Sequence, residues 1–103
     1  MWLLVDDERN LGCDVIARTP DGARTALRGC EFVGLCLDHD LGGNVTGYDI
    51  LMWALNEGHV PPRVELVTSN PVGRDRMGAA LVAAGWDKLT PQRYLRPGYQ
   101  WAD

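Results

Sequence analysis

The sequence predicts an α/β domain built on an open, parallel sheet of five strands. Two observations favour this fold class. Short apolar runs typical of strands covered on both faces alternate with segments whose apolar residues recur at helical spacing. Polar residues follow the apolar runs, as expected where parallel strands end at one edge of a sheet. With 103 residues, the chain has room for a single domain, residues 1–103.

The first two predicted strands lie close together in the sequence. Residues 2–5 are the apolar run WLLV, which Asp6 and Asp7 end. Residues 14–19 form a weaker strand, whose β-branched residues suit an edge position. The connection of about residues 7 to 13 is too short for a crossover helix. We therefore expect a reduced or missing first helix and a thinly covered sheet face; the alternative is a misassigned second strand.

The middle of the chain continues the alternation. A helix is predicted over residues 21–29, from a capping Asp to a Gly, and the best strand over residues 32–38. Thr46 begins a second helix, with Asp49 completing a capping box. Gly58 is expected to end this helix.

The last third contains two strands around a third helix. Residues 63–68 are predicted as a strand, followed by a helix with Asn70 as N-cap and Pro71 at its first position. Residues 92–97 close the sheet, and a tail follows over residues 97–103. Strands and helices in this order imply parallel strands with right-handed crossovers.

Composition excludes several classes of function. The net charge of −4 argues against non-specific binding to polyanions, so we expect no membrane-surface binding and no bulk binding of double-stranded DNA. No basic N-terminal region or transmembrane-length run is present, which predicts a cytoplasmic protein. Three unevenly spaced cysteines suit neither a zinc site nor a disulfide framework, and Cys36 reads as a small buried hydrophobe.

The strand ends carry the candidate chemistry, because ligands bind beyond the carboxyl ends of strands in an open parallel sheet. If strands one and three are neighbours, their carboxylates share a crevice and repel one another unless a cation lies between them. Hard oxygen ligands favour Mg²⁺ or Mn²⁺. The alternative is that strand ends are polar because they turn at the surface. The residues concerned are Asp6, Asp7, Asp38, His39, Asp40, Thr68, Ser69, Asn70 and Arg96.

Two features near these ends bear on a bound anion or on proton transfer. Arg74 lies in the first turns of the third helix, where a positive charge is unfavourable without an anion nearby, so we expect Arg74 to face one. His39 alternates with Asp38 and Asp40 along an extended chain and would point to the other face. It is either a general acid or base or a packed residue that hydrogen-bonds the backbone.

These strand ends resemble those of receiver domains of the two-component type. In that family an acidic pair ends the first strand, the acceptor aspartate the third, Ser or Thr the fourth, and Lys-Pro the fifth. Here LLVDDE, LCLD and LVTS supply Asp6, Asp7, Asp38 and Thr68, and YLRP puts Arg96 in place of the lysine. The resemblance implies a flavodoxin-like or CheY-like sheet with strand order 2-1-3-4-5.

A narrower resemblance runs from Leu3 to about Met77. The motifs DDER, RT, LDHDLGG, TGYDI and SNPVGRDRM look together like the cyclic-phosphate processing receiver family. That likeness implies a receiver fold that binds or hydrolyses phosphate esters, such as nucleotide or RNA ends with cyclic phosphates. It implies a Mg²⁺ or Mn²⁺ ion held by Asp6, Asp7, Asp38 and the backbone carbonyl of Asp40. Together with the placement of Arg74 and His39 described above, it predicts phosphate contacts from Arg9, Thr68, Asn70, Arg74 and Arg96, and catalytic roles for Asp38 and His39.

The sequence departs from the family pattern at Val67, where members carry a histidine before the Ser or Thr. Three functions are therefore open. The first is a Mg²⁺-dependent phosphate-binding domain, with phosphoesterase activity as its extension. The second is a non-catalytic interaction module or inhibitor that docks on a protein partner through the tail, with Tyr99 and Trp101, unless these aromatics fold back on the sheet. The third is a phospho-acceptor receiver at Asp38.

Overall fold

A computed structural model describes residues 1–102 and confirms the α/β fold. Residue 103, the last of the predicted tail, lies outside the described residues. The strands are β1 (Trp2–Val5), β2 (Val15–Ala17), β3 (Gly34–Leu37), β4 (Arg63–Leu66), β5 (Asp87–Lys88) and β6 (Arg93–Leu95). The helices are α1 (Pro20–Gly29), α2 (Gly47–Glu57) and α3 (Pro71–Ala83).

The first four strands are parallel and confirm the predicted order 2-1-3-4. In the register, Val5 lies opposite Leu37, and Leu37 lies opposite Leu66. The three central strands therefore end level with one another. The residues that follow them meet at one edge of the sheet, which we call the carboxyl edge.

The last strand corrects the sequence prediction. The sheet has six strands in the order β2-β1-β3-β4-β6-β5 among residues 1–102, rather than five parallel ones. Helix α3 leads into the two-residue strand β5, and a turn over residues 89–92 sends β6 back between β5 and β4. Strand β6 is therefore antiparallel to β4, with Val64 opposite Tyr94. A hairpin needs only a few connecting residues, whereas a parallel return needs a crossover of a dozen or more.

All three helices pack on the same face of the sheet. Alternate residues of the central strands, such as Leu3 and Leu35, enter one core with buried residues of the three helices, such as Leu27, Leu51 and Leu81. The described part of the β1–β2 connection contains no helix, as predicted. The opposite face of the sheet is covered only by this connection and by the last described residues, so its cover is thin, as predicted.

The helix ends follow from local sequence. Thr46 and Asp49 form the predicted capping box, and Gly58 ends α2 in the left-handed conformation with a φ of 74°. Asn70 caps α3 by accepting a hydrogen bond from the Gly73 N–H at 3.0 Å. Helix α1 begins earlier than predicted, because its N-cap is Thr19 and not Asp21. Within the described residues, no helix is long and apolar enough to span a membrane.

Candidate functional site

Three carboxylates meet at the carboxyl edge, where β1 and β3 end side by side. One oxygen each from Asp6, Asp7 and Asp38 lies within 4.8 Å of the others. The Asp6 N–H donates to the Ala17 carbonyl at 3.2 Å and the Asp38 N–H to the Val5 carbonyl at 2.9 Å, which extends the strand ladders into the site. Asp6 and Asp38 are almost fully buried, at 1% and 7% exposure. We call this group the acidic crevice.

Asp6 is held in its ionised form by the turn that follows it. One carboxylate oxygen accepts hydrogen bonds from the N–H groups of Glu8 at 2.9 Å and Arg9 at 3.0 Å. The other oxygen accepts from Arg9 Nε at 2.7 Å. Burial raises the pKa of Asp6, but the hydrogen bonds from Arg9 and Glu8 and the positive charge of Arg9 outweigh burial, so its pKa lies below its usual value.

Asp38 is positioned by the backbone around it. Its Oδ1 accepts from the His39 N–H at 2.8 Å and lies 3.5 Å from Arg9 Nη2. The first residue of α2, Gly47, donates its N–H to the His39 carbonyl at 2.7 Å. A Cβ on Gly47 would lie 1.9 Å from the Asp38 carbonyl oxygen. Glycine at this position therefore lets the N-terminus of α2 close against the crevice.

Two residues outside the predicted set also border the crevice. Arg18, directly after β2, donates from Nη1 to the carbonyl of Asp6 at 3.3 Å and to the carbonyl of Arg9. Gly42 has a φ of 80°, and a Cβ there would lie 3.2 Å from a carboxylate oxygen of Asp7. The RT motif contains Arg18, but only the folded turn shows that its guanidinium supports the β1–β2 connection. Gly42 belongs to the LDHDLGG motif, and its positive φ explains why this position is a glycine.

His39, Asp40 and Asn70 form a second polar group beside the crevice. His39 Nδ1 lies 3.1 Å from Asp40 Oδ1, and Asn70 Nδ2 donates to Asp40 Oδ2 at 3.4 Å. A Cβ on Gly73 would lie 2.4 Å from His39 Cγ, so the ring packs directly against the first turn of α3. Asn70 Nδ2 also lies 3.5 Å from His39 Nδ1. In the tautomer that donates from Nδ1 to Asp40, Nε2 is the nitrogen that can accept a proton. The Asp40 carboxylate belongs to this group and not to the three clustered carboxylates.

Thr68 and Asn70 stabilise the turn between β4 and α3. Thr68 is buried, and its Oγ1 accepts from the Asn70 N–H at 3.1 Å. The preceding residue, Val67, donates its N–H to the Leu37 carbonyl at 3.0 Å and continues the ladder. Thr68 and Asn70, both predicted to bind phosphate, therefore lie at the carboxyl edge. There Thr68 stabilises the turn and Asn70 caps α3.

Two predicted phosphate-binding arginines are not brought into contact with the acidic crevice. Because β6 is antiparallel, Arg96 lies at the opposite edge, where its N–H donates to the Pro62 carbonyl at 2.9 Å and its guanidinium to the Val60 carbonyl. Arg74 Nε lies 3.7 Å from a carboxylate oxygen of Asp75. This Nε is buried and has no hydrogen-bond partner among residues 1–102. Arg9 is the predicted arginine that contacts crevice carboxylates.

The donor chemistry of the crevice fits a small, hard cation. Two oxygens bound to one Mg²⁺ at about 2.1 Å lie at most about 4.2 Å apart. The observed separations of up to 4.8 Å need only a small side-chain adjustment to reach that limit. Arg9 neutralises part of the same negative charge, so its contact with Asp38 at 3.5 Å would loosen when a cation entered. Asp6, Asp7 and Asp38 could therefore hold Mg²⁺ or Mn²⁺.

The chain matches a protein-family model over most of its length. The family model of the cyclic-phosphate processing receiver domain matches residues 1–83. This stretch runs from β1 to the end of α3 and includes the acidic crevice and the His39 group. It excludes the β5–β6 hairpin, where the structure departs from the predicted parallel sheet. No curated protein and no solved structure matches the chain significantly.

Proposed function

Because the chain belongs to the cyclic-phosphate processing receiver domain family, we propose that its acidic crevice binds Mg²⁺, or Mn²⁺, together with a phosphate ester. The observation that carries this proposal is the clustering of the Asp6, Asp7 and Asp38 oxygens within 4.8 Å. Two of these carboxylates are buried, and like charges at this spacing repel strongly in a medium of low dielectric constant. A divalent cation would remove this repulsion and, when bound, would neutralise phosphoryl oxygens.

The surroundings of the crevice support an anionic ligand. Arg9 keeps 41% of its side chain exposed while it pairs with Asp6, and its planar guanidinium has donors that suit a phosphate. Helices α2 and α3 both begin after residues at the carboxyl edge. The partial positive charge at a helix N-terminus favours a bound anion. Together with the family assignment, this supports a nucleotide or RNA end that carries a cyclic phosphate as the substrate class.

Hydrolysis is the extension of this proposal. Asp38 lies in the crevice, and His39 is a neighbouring group whose Nε2 accepts a proton in the tautomer that donates from Nδ1 to Asp40. His39 would transfer a proton while the crevice holds the phosphate. Val67 takes the position of the family histidine, so His39 would carry the proton transfer in this chain, beside Asp38 and the bound cation.

A thermal unfolding experiment tests metal binding. Millimolar Mg²⁺ should raise the melting temperature, and EDTA should reverse the rise. Asp38→Asn should lose the Mg²⁺ effect, whereas Asp87→Asn should keep it, because Asp87 lies in β5 at the far side of the sheet. No stabilisation by Mg²⁺ in the wild-type protein would contradict the metal site. An unchanged effect in Asp38→Asn would place the bound metal elsewhere.

A second experiment tests phosphate-ester binding and hydrolysis separately. A nucleoside 2′,3′-cyclic phosphate should raise the melting temperature further when Mg²⁺ is present, and chromatography should detect the ring-opened monophosphate. His39→Ala should abolish product formation while the stabilisation by Mg²⁺ persists. Stabilisation without product in the wild-type protein would limit the function to binding, and Val67→His would then show whether the family histidine restores turnover.

The two other functions expected from the sequence have less support. A phospho-acceptor role would require Asp38 to gain one phosphoryl group from a small phosphodonor, but the guanidinium beside it comes from Arg9 and not from the last strand. Docking through the tail has weak support, because the ring of Trp101 packs 5.7 Å from that of Trp2. Tyr99 is more open, with 45% exposure.

A further inference from the structure

Two cysteines lie side by side on the sheet face that the helices leave open. Cys13 and Cys36 both line a cavity of about 320 Å³. Burial, together with the nearby Cys13 thiol, raises the pKa of the Cys36 thiol to about 12. Both are free thiols. Cys36 is buried in β3 with 8% exposure, whereas Cys13 is partly exposed. The pair is separate from the acidic crevice and has no role in the proposed phosphate chemistry.

The folding of the β1–β2 connection explains why these cysteines meet. Leu11 and Gly12 both have positive φ values, 52° and 69°, and the Cys13 N–H donates to the Asn10 carbonyl at 3.2 Å. This turn reverses the chain just before β2. It brings Cys13 to the face of the sheet on which Cys36 projects from β3.

We propose that Cys13 and Cys36 are a peroxide-oxidisable dithiol that closes to an intramolecular disulfide. Cys13 is the first sulfur to react, because it is the more exposed of the two. Its sulfur takes one oxygen from the peroxide and becomes a sulfenic acid, while the other oxygen leaves as water or, from an organic peroxide, as an alcohol. Cys36 sulfur then displaces the hydroxyl group, which leaves as water with the Cys36 proton. The two sulfurs are oxidised by two electrons in total, and the peroxide is reduced.

The contact geometry favours closure over further oxidation. A sulfenic acid condenses with a neighbouring thiol when one is within reach, and Cys13 and Cys36 line the same small cavity. The remaining cysteine, Cys30, is exposed, and it follows α1 on the helical side of the sheet. Cys30 therefore offers a control thiol that peroxide can reach but that is not predicted to pair.

The disulfide would connect two segments that carry the acidic crevice. Cys13 lies in the connection that contains Arg9, and Cys36 lies two residues before Asp38. The cross-link would limit movement of this connection relative to β3. The dithiol does not depend on metal or phosphate binding, so failure of either proposal leaves the other standing.

Peptide mass spectrometry after oxidation tests the proposal. The protein is treated with hydrogen peroxide, its remaining thiols are alkylated, and the digest is searched for cross-linked peptides. The wild-type protein and Cys30→Ser should both give a Cys13–Cys36 disulfide that dithiothreitol removes. Cys13→Ser and Cys36→Ala should give none. A disulfide that contains Cys30, sulfinic acid at Cys13 without a cross-link, or three alkylated thiols would each overturn the proposal.

Thermal unfolding gives an independent readout. The oxidised wild-type protein should melt several degrees above the reduced protein, because a cross-link restricts the unfolded chain, and reduction should remove the difference. Cys13→Ser should show no such rise after peroxide treatment. This variant changes a partly exposed residue, so the test holds even if Cys36→Ala folds poorly. A lower melting temperature for the cross-linked protein would overturn the inferred contact geometry.

Discussion

Replacing Asp38 by asparagine should make the metal-free protein more stable, although Asp38 is a buried residue. With an effective dielectric constant of 20, two carboxylates 4.8 Å apart repel by about 3.5 kcal/mol. Asp38 faces two such neighbours, Asp6 and Asp7, and one attraction to Arg9, worth about 4.7 kcal/mol at 3.5 Å. The net repulsion of about 2 kcal/mol falls to about 1 kcal/mol because solvent screens Asp7.

The hydrogen bonds of Asp38 do not oppose this change. Its Oδ1 accepts one backbone N–H, from His39, and the side-chain oxygen of asparagine can accept the same bond. We therefore expect Asp38→Asn to raise the free energy of unfolding by about 1 kcal/mol without a metal. The same variant should lose the stabilisation by Mg²⁺.

Asp6→Asn is the matched control, because the same substitution in the same crevice should have the opposite effect. Asp6 forms the 2.7 Å ion pair with Arg9, and an asparagine would either lose it or turn its amide group toward another donor. With the same dielectric constant this attraction at 2.7 Å is worth about 6 kcal/mol, which nearly offsets the repulsion from Asp7 and Asp38. Solvent screening of Asp7, and the two backbone N–H groups that donate to the charged Asp6 carboxylate, tip the balance toward a loss of stability. We expect Asp6→Asn to lower the free energy of unfolding.

Urea titrations in EDTA measure both variants against the wild-type protein, and equal m-values would confirm that the denaturation midpoints report stability. An Asp38→Asn protein that is clearly less stable than wild type would refute the electrostatic reasoning. It would identify Asp38 as a structural residue. An Asp6→Asn protein as stable as wild type would show that the Arg9 ion pair contributes little.

Three further predictions concern stability around the crevice. The pKa of Asp6 lies below its ordinary value of 3.8, so its ionised form stabilises the protein above that pH. This stabilisation is lost as the pH falls through the lower pKa of the folded state. In acid titrations, Asp6→Asn should therefore lose less stability over this range than the wild-type protein. Gly47→Ala should lower the free energy of unfolding by at least about 2 kcal/mol, because its Cβ would lie 1.9 Å from the Asp38 carbonyl oxygen. Gly43→Ala is the control: a Cβ there would have nothing within 4 Å, so the same urea titration should show almost no change. Thr46→Ala should cost about 1 kcal/mol by circular-dichroism melting, because α2 loses its N-cap.

The features that sequence alone could predict are those set by short segments. The capping box at Thr46 and the cap at Asn70 involve groups within three residues, so their chemistry is readable directly. The clustering of Asp6 and Asp38 required one further assumption, that strands one and three are neighbours. The observed pairing of β1 with β3 supports that assumption.

The features that could not be predicted depend on how distant segments pair. Residues 92–97 look like a strand whichever way they run, and the direction of β6 depends on the turn after the two-residue strand β5. That direction alone moves Arg96 to the opposite edge. The contact of Arg9 with Asp6 could not be predicted from the sequence either, because the DDER motif does not show that its arginine folds back onto its first aspartate.

The position of the acidic crevice within the sheet determines how local opening can affect it. Asp6 and Asp38 directly follow β1 and β3, which are paired on both sides, and their own N–H groups extend the ladders. Amides of inner strands usually exchange with solvent only when the whole domain unfolds. The amide hydrogens of Asp6 and Asp38 should therefore be among the slowest to exchange for deuterium. The two buried carboxylates of the acidic crevice would then keep their positions for as long as the domain stays folded.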